Sequence, residues 1–208
     1  MRIRVTFAKT EAMRYTSHLD LHRAWERTIR RAGLPLAYTQ GFRPHPRINL
    51  GAALPLGFTS QDEILDIWLE EPLSLEQIHQ QLTIASPPGI QILVVVEIPQ
   101  DAPVLQTQIT ASKYLITLLE PISDLDVRLQ HVYQATSLPR ERRGKTYDLK
   151  PLIHEICRLP DDEFGRQRLQ AVLSAREGAT GRPEEVILAL GGVPELARVH
   201  RSGLILTD

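Results

Sequence analysis

The sequence predicts an α+β protein made of two tandem ferredoxin-like (βαββαβ) units with antiparallel sheets. Three observations predict it. Apolar runs with the period-two alternation of strands are interleaved with capped helices over the first hundred residues. A polar, proline-bearing segment, 99–103, interrupts this order, which then begins again. Strand–helix–strand, strand–helix–strand is the split-βαβ pattern of a sheet carrying two helices on one face. The expected domains are 1–100 and 104–208.

In the first unit Ile3, Val5 and Phe7 alternate with Arg2, Arg4 and Thr6, as in a strand with one buried face. After a loop over 10–16, Ser17 with Asp20 resembles a capping box. Leu21, Ala24, Trp25, Thr28, Ile29 and Ala32 follow at helical spacing, and Gly33 and Pro35 end the helix. Its other face carries Arg23, Arg27, Arg30 and Arg31, relieved only by Glu26. Residues 36–57 are too rich in Gly and Pro for a helix. They predict a short strand, a structured loop GFRPHPR and an irregular strand through Ile48–Leu50. A strand over 64–69, a short helix started by Ser74 and Gln77 with Leu75, Ile78 and Leu82 as its stripe, and a break at Pro87, Pro88 and Gly89 come next. Ile90–Ile98 is the most continuously apolar run, as expected of a strand covered on both sides.

The second unit predicts a strand over 113–119, a helix over 123–133 capped by Ser123 and Asp124, and a strand over 149–159 with Pro151 near its start. A strand over 167–175 follows. A helix over 182–190, with Pro183 in its first turn, is closed by Gly191 and Gly192, and a last strand covers 196–206.

Composition limits the chemistry. With a net charge of −1, no global field favours nucleic acid or a membrane, so electrostatic recognition must rest on local clusters. No run approaches the roughly 18 apolar residues of a membrane span, and a cytoplasmic location is expected. Cys157 is the one cysteine, which leaves no internal disulfide, zinc ribbon or self-contained iron–sulfur cluster in this chain. No cofactor and no metal site are expected.

The candidate binding residues are cationic and aromatic. Arg14, Arg23, Arg27, Arg30, Arg31, Arg43 and Arg47 could track phosphates through bidentate guanidinium contacts, or form a solvated face. Arg140, Arg142, Arg143 and Lys145 form a second basic run around Gly144, either an arm that orders on a nucleic-acid backbone or a solvated hairpin tip. Phe42 and Tyr38 could stack bases, although core packing is the simpler role for Tyr38. His45, between two prolines, is held on a stiff loop. With Tyr15 and His18 it could supply acid–base chemistry for metal-independent RNA cleavage, or only contact a ligand. His18 and His22 have an i, i+4 spacing that can hold a metal, but no cysteine completes a site, and His18 fits the edge of the apolar stripe.

The strings RYTSHLDLHRAWERTIRRAGLPLAYTQGFRPHPRI and LPLGFTSQDEILDIWL, with GKTYDLKPLI and GRPEEVILALG in the second half, resemble the bacterial radical-SAM-linked proteins of unknown function. Members of that family stand beside, or fused to, a cobalamin-binding-type radical SAM protein, and tend to lie near a ribonuclease of the E/G type. This chain has Arg43 where the family often has Asn and Arg47 where it often has Lys. The resemblance implies a radical SAM partner, suggests an RNA setting and offers no established activity for the module itself. The resulting expectation is an accessory substrate-binding module, with RNA as its ligand. The alternatives are a protein–protein adaptor and a metal-independent endoribonuclease.

Overall fold

A computed structural model describes residues 1–142 and 144–207 of the chain. It is a mixed α+β structure dominated by antiparallel strand pairs, and it divides into two compact units, Met1–Gln108 and Ile109–Asp208.

The first unit contains β1 (Arg2–Lys9), α1 (His18–Arg31), β2 (Ile48–Leu50), β3 (Thr59–Trp68), α2 (Leu75–Ala85), β4 (Ile90–Ile98) and the short α3 (Leu105–Gln108). Its strand order is β4-β1-β3-β2, with every pair antiparallel. Alternation along β1 puts Ile3, Val5 and Phe7 on the face covered by the helices, where Leu21, Trp25 and Ile29 of α1 and Ile78 and Leu82 of α2 complete a closed core. Phe7 and Trp25 meet edge to face, with centroids 4.8 Å apart. Alternation also sends Arg2 and Arg4 to the opposite face. There both guanidiniums bond the fully buried carboxylate of Asp66, at 2.7–3.0 Å. Lys9 is 1% exposed, and its ammonium donates to the carbonyls of Thr16 and Phe58 at 3.1 and 3.3 Å.

α1 starts where its cap predicts: Ser17 Oγ accepts the Asp20 N–H at 3.1 Å. Gly33 closes it with φ +69°. Gly89, at φ +99°, accepts the Thr10 N–H, and a Cβ there would lie 2.7 Å from Met13.

Three expectations for this unit are corrected. β3 begins at Thr59, five residues earlier than expected, because polar Thr59–Glu63 extends the ladder with β1. The strand expected near Leu36 is reduced to single bridges, Leu36 to Leu69 and Tyr38 to Pro46. β4 is not covered on both sides: it ends the strand order beside β1, and Leu93, Val94 and Val96 are exposed. A run of branched apolar residues specifies an extended backbone, but does not specify what covers it.

The second unit contains β5 (Ile109–Leu118), α4 (Leu125–Gln134), β6 (Pro139–Arg142), β7 (Lys145–Asp148), β8 (Ile153–Leu159), β9 (Arg168–Arg176), β10 (Ala179–Thr180), α5 (Pro183–Ala189) and β11 (Ala197–Leu206). β11, β5 and β9 lie side by side, β8 and β10 both pair with β9, and all these pairs are antiparallel. Ile116, Leu169, Leu173, Val186, Ile187 and Leu190 are buried.

Here too the sequence reading is corrected. Asp124 does not cap α4 through its side chain; it sits at φ +56° with no capping bond. The strand expected over 149–159 begins only at Ile153, since Pro151 lies in a 3₁₀ turn, Lys150–Leu152. Before it stands a separate two-stranded hairpin, β6–β7. Gly191 and Gly192 do close α5, donating to Leu188 O and Ile187 O, with φ +76° at Gly191. Among the described residues no helix is long and apolar enough to cross a membrane.

Candidate functional site

The first cluster lies on α1 and the segments flanking it. Packing the Leu21–Trp25–Thr28–Ile29 stripe inward leaves Arg23, Arg27, Arg30 and Arg31 exposed. Arg23 leans on Asp20 at 3.4 Å, whereas Arg27, Arg30 and Arg31 have no ion pair among the described residues. His22 Nδ1 lies 3.1 Å from Glu26 Oε1, so the second carboxylate of α1 is turned to a histidine. His18 is the first residue of α1.

Arg14 is different in kind. It is only 14% exposed, its Nε donates to Gly57 O at 2.8 Å, and its guanidinium lies over the ring of exposed Tyr15. With the Gly57 N–H bonded to Arg14 O, this residue ties the loop before α1 to the 54–57 turn.

The GFRPHPR loop is closed at its base. The Thr39 N–H donates to His45 O, the His45 N–H to Thr39 Oγ1, and the Arg47 N–H to Ala37 O, each near 2.8–2.9 Å. These bonds fix the two ends and push residues 40–43 outward. Phe42 at the tip is fully exposed, Arg43 and His45 are exposed, and Tyr38 is 40% exposed at the base. Arg47 turns back to stack on Trp68, with 5.0 Å between guanidinium and ring. Four of the expected residues, Phe42, Arg43, His45 and Arg47, thus share one rigidly based loop.

The second cluster lies in the β6–β7 hairpin. Register places Arg142 opposite Lys145 and Arg140 opposite Tyr147, so these four side chains share one face, while Glu141 and Thr146 take the other. Like charges directly opposite one another repel. Arg142, Lys145 and Tyr147 line a cavity of about 550 Å³ with Leu152, Ala179 and Arg182. Arg140 is 3.9 Å from Glu185. The Tyr147 phenol is held above its ordinary pKa by burial and by the Glu185 carboxylate, against the pull of Arg182, Arg142 and Arg140, so it stays a protonated donor. Asp148 also lines the cavity, but its Oδ1 already accepts the N–H groups of Leu138 and Lys150, at 2.7 and 2.9 Å. Arg143 lies outside the described residues.

Sequence reasoning missed Tyr147 and Arg182. The signal was present: Arg140, Arg142, Lys145 and Tyr147 alternate symmetrically about the Arg143–Gly144 pair, the pattern of a hairpin with one basic face. Arg182 had no local signal, because only the β9–β10 turn brings it to the hairpin. Among the described residues no group of three or more His, Cys, Asp or Glu side chains could hold a metal.

Comparison with solved structures finds a Cbf5-Nop10-Gar1 complex at 12% identity, covering 99% of this chain and 48% of that chain, with a TM-score of 0.46. The archaeal box H/ACA sRNP Nop10-Cbf5 complex matches at 11% identity, with 99% and 47% coverage and a TM-score of 0.44. The chain spans about half the length of these solved chains. No curated protein matches. Residues 2–183 match a family described as an uncharacterized protein conserved in bacteria, and the chain therefore belongs to that bacterial family, DUF2344.

Proposed function

We propose that the chain is an RNA-binding accessory module, built as two ferredoxin-like units, that presents a substrate to a separate radical SAM enzyme. The strand orders support the architectural half of this reading. β4-β1-β3-β2 with α1 and α2, and β11-β5-β9-β8 with α4 and α5, each follow split-βαβ connectivity. The single observation that carries the binding half is the row Arg27, Arg30 and Arg31, exposed and without ion pairs among the described residues, next in sequence to a loop that displays Phe42 and Arg43. Guanidiniums grip phosphates and an exposed ring stacks a base, the combination that single-stranded RNA recognition uses. The radical SAM partner rests on the family resemblance and on the single cysteine, too few for the cluster that radical SAM chemistry needs.

The test is a salt titration of RNA affinity, followed by fluorescence anisotropy. Four phosphate contacts on single-stranded RNA give a log–log slope of about −3. The double variant Arg27→Glu, Arg43→Glu should flatten it by about 1.4. A slope near zero in the wild type, or one unchanged in the variant, would remove the reading.

Phe42 favours one alternative. A fully exposed aromatic flanked by arginine is also the composition of a protein-interface anchor, which would make the module an adaptor that docks on its partner without nucleic acid. Co-purification with the radical SAM protein that survives nuclease but fails in Phe42→Ser would select it. The endoribonuclease alternative requires RNA cleavage in chelator that is lost in His45→Ala or His18→Ala.

A further inference from the structure

The cavity of the second unit has the anatomy of a small-molecule site, and none of its lining residues belongs to α1. About 550 Å³ is within the range that holds a cofactor-sized ligand. Its lining combines three cations, Arg142, Lys145 and Arg182, with the Tyr147 ring and the apolar side chains of Leu152 and Ala179. The one carboxylate among the lining residues, Asp148, is occupied by two backbone N–H groups, which hold its pKa below the ordinary carboxylate range and keep it bound in place. Three cations therefore face the cavity against this one ionised carboxylate of its lining, with the Glu185 carboxylate beside Tyr147, which leaves the lining cationic. Two of them, Arg142 and Lys145, are held at opposite register positions across the hairpin, where an anion between them would relieve their repulsion.

Cations alone would suit any phosphate or sulfate. The neighbouring apolar floor and phenol narrow the choice, because they offer a flat ligand part a surface to stack on and a hydroxyl donor at its edge. We propose that this cavity binds a nucleotide carrying a terminal phosphate, with the phosphate between Arg142, Lys145 and Arg182 and the base against Tyr147 and Leu152. The same chemistry is presented by a free nucleoside monophosphate and by the 5′-phosphorylated end of an RNA strand.

Calorimetric titration of the full chain at low salt tests this with four probes: 5′-AMP, inorganic phosphate, and an RNA pentamer with either a 5′-phosphate or a 5′-hydroxyl. 5′-AMP or the phosphorylated pentamer should bind at least about tenfold tighter than inorganic phosphate and than the hydroxyl pentamer. Preference for the free nucleotide or for the pentamer identifies the source, and either upholds the proposal. Lys145→Ala and Tyr147→Ala should each weaken binding about tenfold, while Tyr147→Phe, which keeps the ring, should lose only a fewfold. Lys145 is exposed on the hairpin, so Lys145→Glu keeps the fold and still removes the site if Tyr147→Ala proves unstable. Arg27→Glu with Arg43→Glu should leave 5′-AMP binding unchanged, which separates this site from the N-terminal surface. The proposal fails if neither phosphorylated probe binds at millimolar concentration, if inorganic phosphate binds equally well, or if Lys145→Glu has no effect.

Discussion

Asp66 shows how strongly one residue can be constrained. Its carboxylate has no exposure and accepts from both Arg2, itself 2% exposed, and Arg4. Asp66→Asn would keep the shape but leave two cations around a neutral amide. The expected cost is about 3–5 kcal/mol, the usual range for breaking a buried pair from one side, measured by urea denaturation. Asp148 offers a pH-dependent counterpart. The Leu138 and Lys150 N–H groups hold its pKa below the ordinary value, so its contribution is fully present above the unfolded pKa of about 3.9 and is lost as pH falls through the lower folded one. Exchange protection factors at Leu138 and Lys150 should stay high at neutral pH and fall in acid below that range. Asp148→Ala, which removes the acceptor, should show low protection at both.

Elements differ in how much of them could be read from sequence. α1 was legible because Ser17, a helical apolar stripe and Gly33 all specify the same segment; Ser17→Ala should cost about 1 kcal/mol in thermal or urea unfolding. The β6–β7 hairpin was not legible as two strands. Its residues are almost all polar, so no apolar alternation marked it, and only register reveals its basic face. β4 was legible as a strand and misread in its surroundings, since Val94 and Val96 are exposed rather than covered. An apolar strand at the end of a sheet invites unwanted pairing. Val94→Lys with Val96→Lys should raise the concentration at which the protein stays monomeric in light scattering, with no more than about 0.5 kcal/mol change in stability.

At the scale of the whole chain, a net charge of −1 conceals two basic clusters, one in each unit. The same protein should therefore bind a polyanion at low salt despite its nearly neutral total. Retention on heparin is expected, with release at moderate salt, and Arg27→Glu should shift elution to lower salt. Composition revealed the clusters on α1 and around Gly144, because those depend on local spacing. It could not reveal that Arg182 joins the second cluster, or that Arg14 serves as a clamp on Gly57, because both depend on contacts far along the chain.

The chain has only four lysines, Lys9, Lys113, Lys145 and Lys150, and Lys9 is sealed beneath the carbonyls of Thr16 and Phe58. An amine-acylating reagent should therefore mark Lys145 within minutes and reach Lys9 only when the first unit opens. The mass-spectrometric labelling rate at Lys9 would serve as a clock for that opening, readable in a crowded lysate where fluorescence and calorimetry are blind.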